Sequence, residues 1–309
     1  METLQMGDAS ELPILLLIFN RPDLTKKLIE SLGKLKPKFL YIAADGPREN
    51  YLHDNDLCSQ ARAISQSLAW PCEVKTLFRT ENLGCRKAVS EAIDWFFDEV
   101  EEGVVLEDDC IVDLSFFQFS LEMLDKYRND SNIVCISAQN FGSSLSKTHN
   151  SYYFSIYNHC WGWASWRRAW ALYDKNMSAW PKLRDTSWLG KVGGGFVFVD
   201  YWRNIFNAVY RGDIDSWAYV WTFSCWHKSG LTIIPDVNLV KNIGIGEHGT
   251  RTNSRSPKEW MLDSSQLIFP LEHPTLVSQN KLRDQWTSKN IFKIIFPRYV
   301  FRKMKRIFL

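Results

Sequence analysis

The sequence predicts an α/β protein built on a doubly wound, mainly parallel sheet flanked by helices, and three observations carry that expectation. Short apolar runs alternate with amphipathic segments through residues 12–140. Those runs are continuously apolar, as strands covered on both faces require. Acidic residues stand at the ends of two of them, and sheets of this kind bind ligands beyond the carboxyl ends of their strands.

Taken in order, "PILLLIF" (13–19) is the first strand. The helix after it opens near Pro22 and places Leu24, Leu28, Leu32 and Leu35 on one face. "FLYIAAD" (39–45) is a second strand, closed by the turn residues "DGP" and followed by a polar helix. "CEVKTLF" (72–78) is a third strand. The next segment, "CRKAVSEAIDWFFDEV", sets Val89, Ile93, Phe96 and Val100 at helical spacing. "GVVLE" is a fourth strand, "SFFQFSLEMLDKYRND" a helix, and "IVCIS" (133–137) a further strand. Repeated βα units imply parallel pairing. Beyond residue 140 the pattern is irregular and Trp-rich, and 265–288 reads as a polar wrap with scattered apolar anchors.

Composition narrows the function. A chain of 309 residues, 45% hydrophobic, can bury a full core. A net charge of +2 argues against a nucleic-acid partner. The segment 289–309 nevertheless holds seven lysines and arginines and no acid, so the rest of the chain is net acidic. Phe292, Ile295, Tyr299 and Lys303 follow near-helical spacing there, interrupted by Pro297. That tail suits either a peripheral contact with an anionic membrane surface or a helix packed on protein. Seven scattered cysteines without a CxxC pair read as thiols of a reducing compartment. The N-terminus lacks the positive charge of a signal peptide, and no apolar run reaches the length that spans a bilayer. A cytoplasmic protein is expected. Fourteen tryptophans suit either stacking platforms for sugars and bases or a bulky core.

The most informative stretch is "GVVLEDDCIV", in which Glu107, Asp108 and Asp109 follow a buried strand. Neighbouring carboxylates repel and cost desolvation energy, so a cation should be close by. A divalent metal, Mn²⁺ or Mg²⁺, is the expected one, shared between a strand-end carboxylate and diphosphate oxygens. Strand alternation would turn Glu107 and Asp109 to one face and Asp108 to the other. A solvated acidic turn is the alternative. Asp45 ends the second strand, and Arg21 follows the first, within reach of a phosphate. "GIGEHG" (244–249) fits G-x-G-x-x-G, but no helix pattern follows it, so dinucleotide binding is rejected. Its amides with His248 or Arg251 could instead close over phosphates, or the stretch is an ordinary surface loop.

The order "FNRPDLTKKLIESL", "AADGP", "ENLGCRKAVSEAIDWFF", "GVVLEDDCIVDLSFFQF" and "ISAQNFG" resembles the GT-A glycosyltransferases over roughly 12–255. Within them it is most similar to N-acetylglucosaminyltransferase I and its bacterial relatives. The resemblance implies a GT-A-like catalytic domain over 1–265, with a nucleotide-sugar half (12–140) and an acceptor half (141–265), then a C-terminal wrap and basic tail (266–309). It implies that Asp109 binds Mn²⁺, that Glu107 and Asp108 contact the donor's ribose and sugar, that Asp45 meets uracil and that Arg21 meets phosphate. It places "WGWASWRRAW" on the acceptor side and "GIGEHGTRT" in a loop over the donor. One departure stands out. The bacterial relatives carry an acid, their apparent base, after the Trp of a "W-D-Y-x-W" segment, whereas "DSWAYVW" has Ala218 there. Asp215 or Asp213 serves instead, or the protein is inactive, or the chain is a deliberately disabled variant.

The expected activity is therefore metal-dependent, inverting transfer of a sugar from a nucleotide sugar, UDP-linked first, to a hydroxyl of a glycan or lipid-linked glycan, as in surface or capsular polysaccharide synthesis. Inversion rests on the resemblance. A sugar nucleotidyltransferase is disfavoured, because "NRPDL" replaces the Gly-rich basic loop such enzymes carry after the first strand. A non-catalytic nucleotide-sugar or glycan-binding protein is the other alternative, and Ala218 is its best argument.

Overall fold

A computed structural model describes residues 9–145, 149–245 and 260–295. Its frame is an eight-stranded sheet in the order β3-β2-β1-β4-β8-β6-β9-β7. The strands are β1 (Ile14–Ile18), β2 (Phe39–Ala44), β3 (Glu73–Phe78), β4 (Glu102–Glu107), β6 (Ile133–Ser137), β7 (Tyr152–Ser155), β8 (Trp163–Trp166) and β9 (Leu231–Pro235). A separate antiparallel pair joins β5 (Cys110–Val112) to β10 (Val240–Asn242). β1, β2, β3 and β4 run parallel, as the repeated βα pattern requires, and β8 pairs antiparallel with both β4 and β6. β1 and β6 are buried along their whole length, the covered-on-both-faces condition that their unbroken apolar sequence implied.

Four helices cover the first half: α1 (Pro22–Leu32), α2 (Asp54–Gln66), α3 (Cys85–Glu99) and α4 (Ser115–Lys126). α1 starts with proline in its first turn and buries Leu24, Leu28 and Leu32, the stripe read from sequence. In α3 the buried residues are Ala88, Ser90, Ala92, Ile93, Phe96 and Phe97, whereas Val89, and Val100 just past the helix, stay half-exposed. The winding direction reverses at β1: the chain builds β2 and β3 on one side and then sets β4 on the other. The crevice at this reversal is where an open α/β sheet offers a site.

The irregular second half contributes more regular structure than its sequence suggests. β7, β8 and β9 enter the same sheet, so strands from before and after residue 140 form one layer. Strand β8 is "WASW", part of the stretch assigned by resemblance to the acceptor side. Trp163 and Trp166 are buried inside the fold instead. Periodicity misses β8 because all four of its residues are buried, so no alternation exists to be read. The helices α5 (Phe196–Arg211) and α6 (Trp217–His227) follow. Eight of the eleven residues of α6 are buried, on every face, so it lacks the apolar stripe of a surface helix. Trp163 of β8 packs against Trp217 and Trp221 of α6, with ring centroids 5.9 and 6.2 Å apart. Indole packing of this kind fixes the helix against the sheet.

The segment after 260 wraps the β7 edge, with Leu267 and Leu271 buried and Gln279 bridging Phe154. It leads into α7 (Lys281–Asn290), where Arg283 forms a buried ion pair with Asp236 at 2.8 Å. Phe292 stacks on Tyr157 with centroids 5.0 Å apart, which places the start of the basic tail on the domain itself. Tyr299, Lys303 and Pro297 lie outside the described residues. Among the described residues no helix is long and apolar enough to cross a membrane.

Gly103 is the second residue of β4, where a Cβ would stand 2.4 Å from the Phe96 ring and 2.7 Å from the Pro13 carbonyl. Gly103→Ala is expected to destabilise the protein by about 1–3 kcal/mol through overpacking, measured by urea unfolding. An unchanged midpoint would mean that α3 packs less tightly on the sheet than these distances imply.

Candidate functional site

The loop after β1 carries Arg21 and the turn after β4 carries Asp108 and Asp109, so the strand reversal brings the three together. The Asp108 amide still bonds the Leu17 carbonyl at 3.1 Å, which extends the β1–β4 ladder one residue past the strand. There the chain turns. Arg21 Nε donates to Asp108 Oδ2 at 3.2 Å, Nη2 donates to Asp108 Oδ1, and Nη1 donates to Asp109 Oδ2 at 2.9 Å. Strand alternation therefore fails at the acidic triplet: Asp108 and Asp109 both face one guanidinium, because the strand ends at Glu107 and a turn replaces the pleat. For Asp108 and Asp109 the protein itself supplies a cation.

Burial is the first influence on Asp108, and it pushes the carboxyl up from 3.8 to about 6. The Arg21 charge opposes that rise, and the Asp109 charge adds to it. Burial would lower the Arg21 pKa, but the two carboxylates outweigh it and raise the value overall. Asp109 has further partners. Its Oδ1 accepts from Asn242 Nδ2 at 3.3 Å and from the Cys110 thiol at 3.4 Å, and its carbonyl accepts from the Ile243 amide at 2.8 Å. The β5–β10 pair thus ties the acidic turn to the chain entering the glycine-rich stretch. A Cβ on Gly244 would lie 2.4 Å from Asp109 Oδ2, so only glycine lets the backbone pack this close to that carboxylate.

Asp45, at the end of β2, spends its carboxylate on backbone. It accepts from the Gly46 amide at 2.9 Å, the Leu83 amide at 2.9 and 3.1 Å, and the Gly84 amide at 3.1 Å. It therefore shapes the loop that leads into α3. Asp215 sits at the start of α3, where its carboxylate accepts from the Arg86 amide at 3.2 Å, a favoured place for a negative charge. Asp213 pairs with Arg211 on the exposed surface.

A cavity of about 420 Å³ opens over these groups. Arg21, Asp45, Glu107, Asp108, Asp109 and Ala218 all line it, and Asp215 does not. Ala218 reaches the wall because Trp217 and Trp221 hold the first turn of α6 against β8. His248 and Arg251 lie outside the described residues. Sequence reasoning missed other lining residues, among them Asn20, Arg48, Arg79 and Asn242, whereas Trp161 belongs to the stretch placed on the acceptor side. Three of these had a usable signal: Asn20 directly precedes Arg21, and Arg48 follows the "DGP" turn that closes β2. Arg79 also follows a strand end. Trp161 and Asn242 arrive from the second half, where only the folded chain brings them near.

Among the described residues no cluster of three or more His, Cys, Asp or Glu is arranged to hold a metal. Asp109 is the carboxylate of the acidic turn that a divalent cation would take, and its Oδ2 accepts from Arg21 Nη1 at 2.9 Å with Gly244 packed against it.

No protein-family model matches the chain, and no curated protein matches it. Among solved structures, the mannosyltransferase PcManGT from Pyrobaculum calidifontis, in complex with GDP-Man and Mn²⁺, overlaps it with a TM-score of 0.32 at 10% identity. The overlap covers 50% of this chain and 44% of that one, so it spans less than half of that mannosyltransferase. A likeness this slight carries no weight for what the cavity binds.

Removing the internal cation should have a pH signature. A carboxyl with a folded pKa of about 6 against an ordinary 3.8 binds more protons folded than unfolded, so its contribution to stability falls as pH rises through that window. Arg21→Gln leaves the charged carboxylates uncompensated, and the expected loss is about 3–5 kcal/mol at pH 7. The loss should shrink as pH is lowered from 7 to 5 and the Asp108 carboxyl protonates. Urea unfolding of both proteins at the two pH values checks this. A loss independent of pH would show that Arg21 acts through packing alone.

Proposed function

We propose that the chain is a metal-dependent, inverting glycosyltransferase that takes a nucleotide sugar, UDP-linked first, and passes the sugar to a hydroxyl of a glycan or lipid-linked glycan. The observation that carries this reading is the convergence of Asp45, Glu107, Asp108, Asp109 and Arg21 on one cavity at the strand reversal. Sequence motif and fold thus point to the same place. A cavity of about 420 Å³ also lies within the range of small-ligand pockets, roughly 300–1,000 Å³.

In this reading Asp109 would hold Mn²⁺ or Mg²⁺ in place of its contact with Arg21 Nη1, its carboxylate steadied by Asn242. A bound divalent ion there supplies positive charge against the charge that develops on the departing diphosphate. Glu107 and Asp108 lie along the ribose and sugar. Asp108 is anchored by the Arg21 fork, so its position is fixed before a donor arrives. Asp45 orders the loop 82–84 that walls the base end. The acceptor hydroxyl approaches past Trp161 and Ala218, and its deprotonation needs an acid at or near 215–218. The surface-glycan role and the cytoplasmic setting belong to the same proposal.

One observation favours a second reading, a non-catalytic nucleotide-sugar or glycan-binding protein. The position on the cavity wall where a base is expected is Ala218, and Asp215 is turned to the amide of Arg86.

Calorimetric titration of UDP tests the donor site. Binding in the presence of Mn²⁺ is expected to weaken by about tenfold or more with EDTA, or in Asp109→Asn with Mn²⁺ retained. No binding of UDP, GDP, CDP or dTDP in either condition would end the nucleotide-sugar reading. Ala218→Asp then separates the two readings: the transferase predicts a gain in donor turnover, and no gain with any acceptor tried favours binding alone.

A further inference from the structure

Three arginines line the cavity, and they are committed to different degrees. Arg21 applies Nε, Nη1 and Nη2 to Asp108 and Asp109. Arg79 makes one long contact, Nη2 to Glu91 at 3.3 Å. Arg48 is held differently from both. Its Nε donates to Asp54 Oδ2 at 2.6 Å and its Nη2 donates to Asp54 Oδ1 at 3.0 Å, a side-on, two-point grip. The Arg48 amide donates to the same carboxylate at 3.2 Å. Asp54 is buried at the start of α2, and Asn20, another cavity residue, donates to its Oδ1 at 2.7 Å. Asp54 is held at about 2, chiefly by its hydrogen bond from Arg48, so the anchor stays charged at any physiological pH.

The plane of the guanidinium is fixed as well. Its Cζ lies 3.5 Å from the centroid of the Tyr51 ring and 5.4 Å from that of Phe19, also a cavity residue. A guanidinium has five N–H donors. Asp54 takes one from Nε and one from Nη2. The other three, both on Nη1 and the second on Nη2, meet no acceptor among the described residues, and the side chain is 31% exposed. A rigid, charged fork with open donors at a cavity rim is suited to an anion with several oxygens, because little conformational freedom remains to be lost on binding.

We infer that Arg48, pinned by Asp54 and Tyr51, is a phosphate-binding residue of the donor site and takes an oxygen pair of a nucleoside diphosphate. This rests on the reading of the cavity as a nucleotide-sugar site and reassigns a role that the family resemblance gave to Arg21. Arg21 works instead as the counter-ion that holds the acidic turn in place. Nothing in the reaction type needs Arg48 to exchange a proton; it binds and orients.

The test uses the full chain and follows tryptophan fluorescence, since Trp161 and Trp217 line the cavity. With Mn²⁺ present throughout, UDP, uridine and inorganic pyrophosphate are titrated into the unaltered protein and into Arg48→Lys. The lysine keeps a cation opposite Asp54 but has no fork. A double variant, Arg48→Gln with Asp54→Asn, removes both charges together and so leaves no buried carboxylate unpaired. In both variants affinity for UDP and pyrophosphate is expected to fall by about tenfold or more, with uridine unchanged and the melting temperature near the starting value. Equal weakening of uridine and UDP would move Arg48 to the base and overturn the phosphate assignment. UDP and pyrophosphate binding unchanged in both variants would overturn any role in donor binding while leaving the cavity reading intact. An unaltered protein that binds none of UDP, GDP, CDP or dTDP would remove the cavity reading itself and this inference with it.

Discussion

The guanidinium of Arg21 and the carboxylates of Asp108 and Asp109 meet where the sheet reverses its winding, and much of the candidate site depends on that contact. β1 and β4 are neighbours whose following segments diverge, so the crevice between them would spread unless something crossed it. Arg21 crosses it with three nitrogens. Two adjacent buried carboxylates would otherwise repel and lose their hydration, a cost of several kcal/mol for each unpaired ion, on the order given for buried charges. Neutralising them inside the fold leaves the turn ordered before any ligand arrives. Asp109 then passes that order on through Asn242 and the Ile243 amide to the chain that continues into the glycine-rich stretch.

A second constraint comes from the aromatic core. Trp163, Trp170, Trp217 and Trp221 are buried together, and they decide where α6 lies. Since α6 is enclosed on all sides, its first turn has little freedom, and Ala218 is delivered to the cavity wall with its neighbours Ser216 and Trp217. The side chain at that position is therefore a direct choice about cavity chemistry, because changing it leaves the buried faces of the helix untouched. The abundance of tryptophan is mainly a packing device here, with Trp161 and Trp217 the members that line the cavity.

Charge around the cavity is arranged in pairs. Arg21 is matched to Asp108 and Asp109, Arg48 to Asp54, and Arg79 to Glu91. Asp45 is matched to three backbone amides instead of a cation. This pairing gives each group a fixed direction, which is the condition for recognising a multiply charged ligand at low entropic cost. It also separates two jobs that look alike in a sequence, an arginine that stabilises acids and an arginine that keeps donors open for a ligand.

The amino-acid sequence by itself determined the parallel βα half, because unbroken apolar runs and leucine stripes at helical spacing are local signals that survive without tertiary context. It also determined that Asp45 and the Glu107–Asp109 run end strands, and hence that they belong at one edge of the sheet. Only the tertiary structure decided that Asp108 and Asp109 face the same way, since a strand's alternation stops where a turn begins. Only the tertiary structure decided that Arg21 is their partner, that Arg48 is held by Asp54, and that β8 and α6 are core. Those are contacts between segments far apart in the chain, and a residue buried on all sides leaves no periodicity to read.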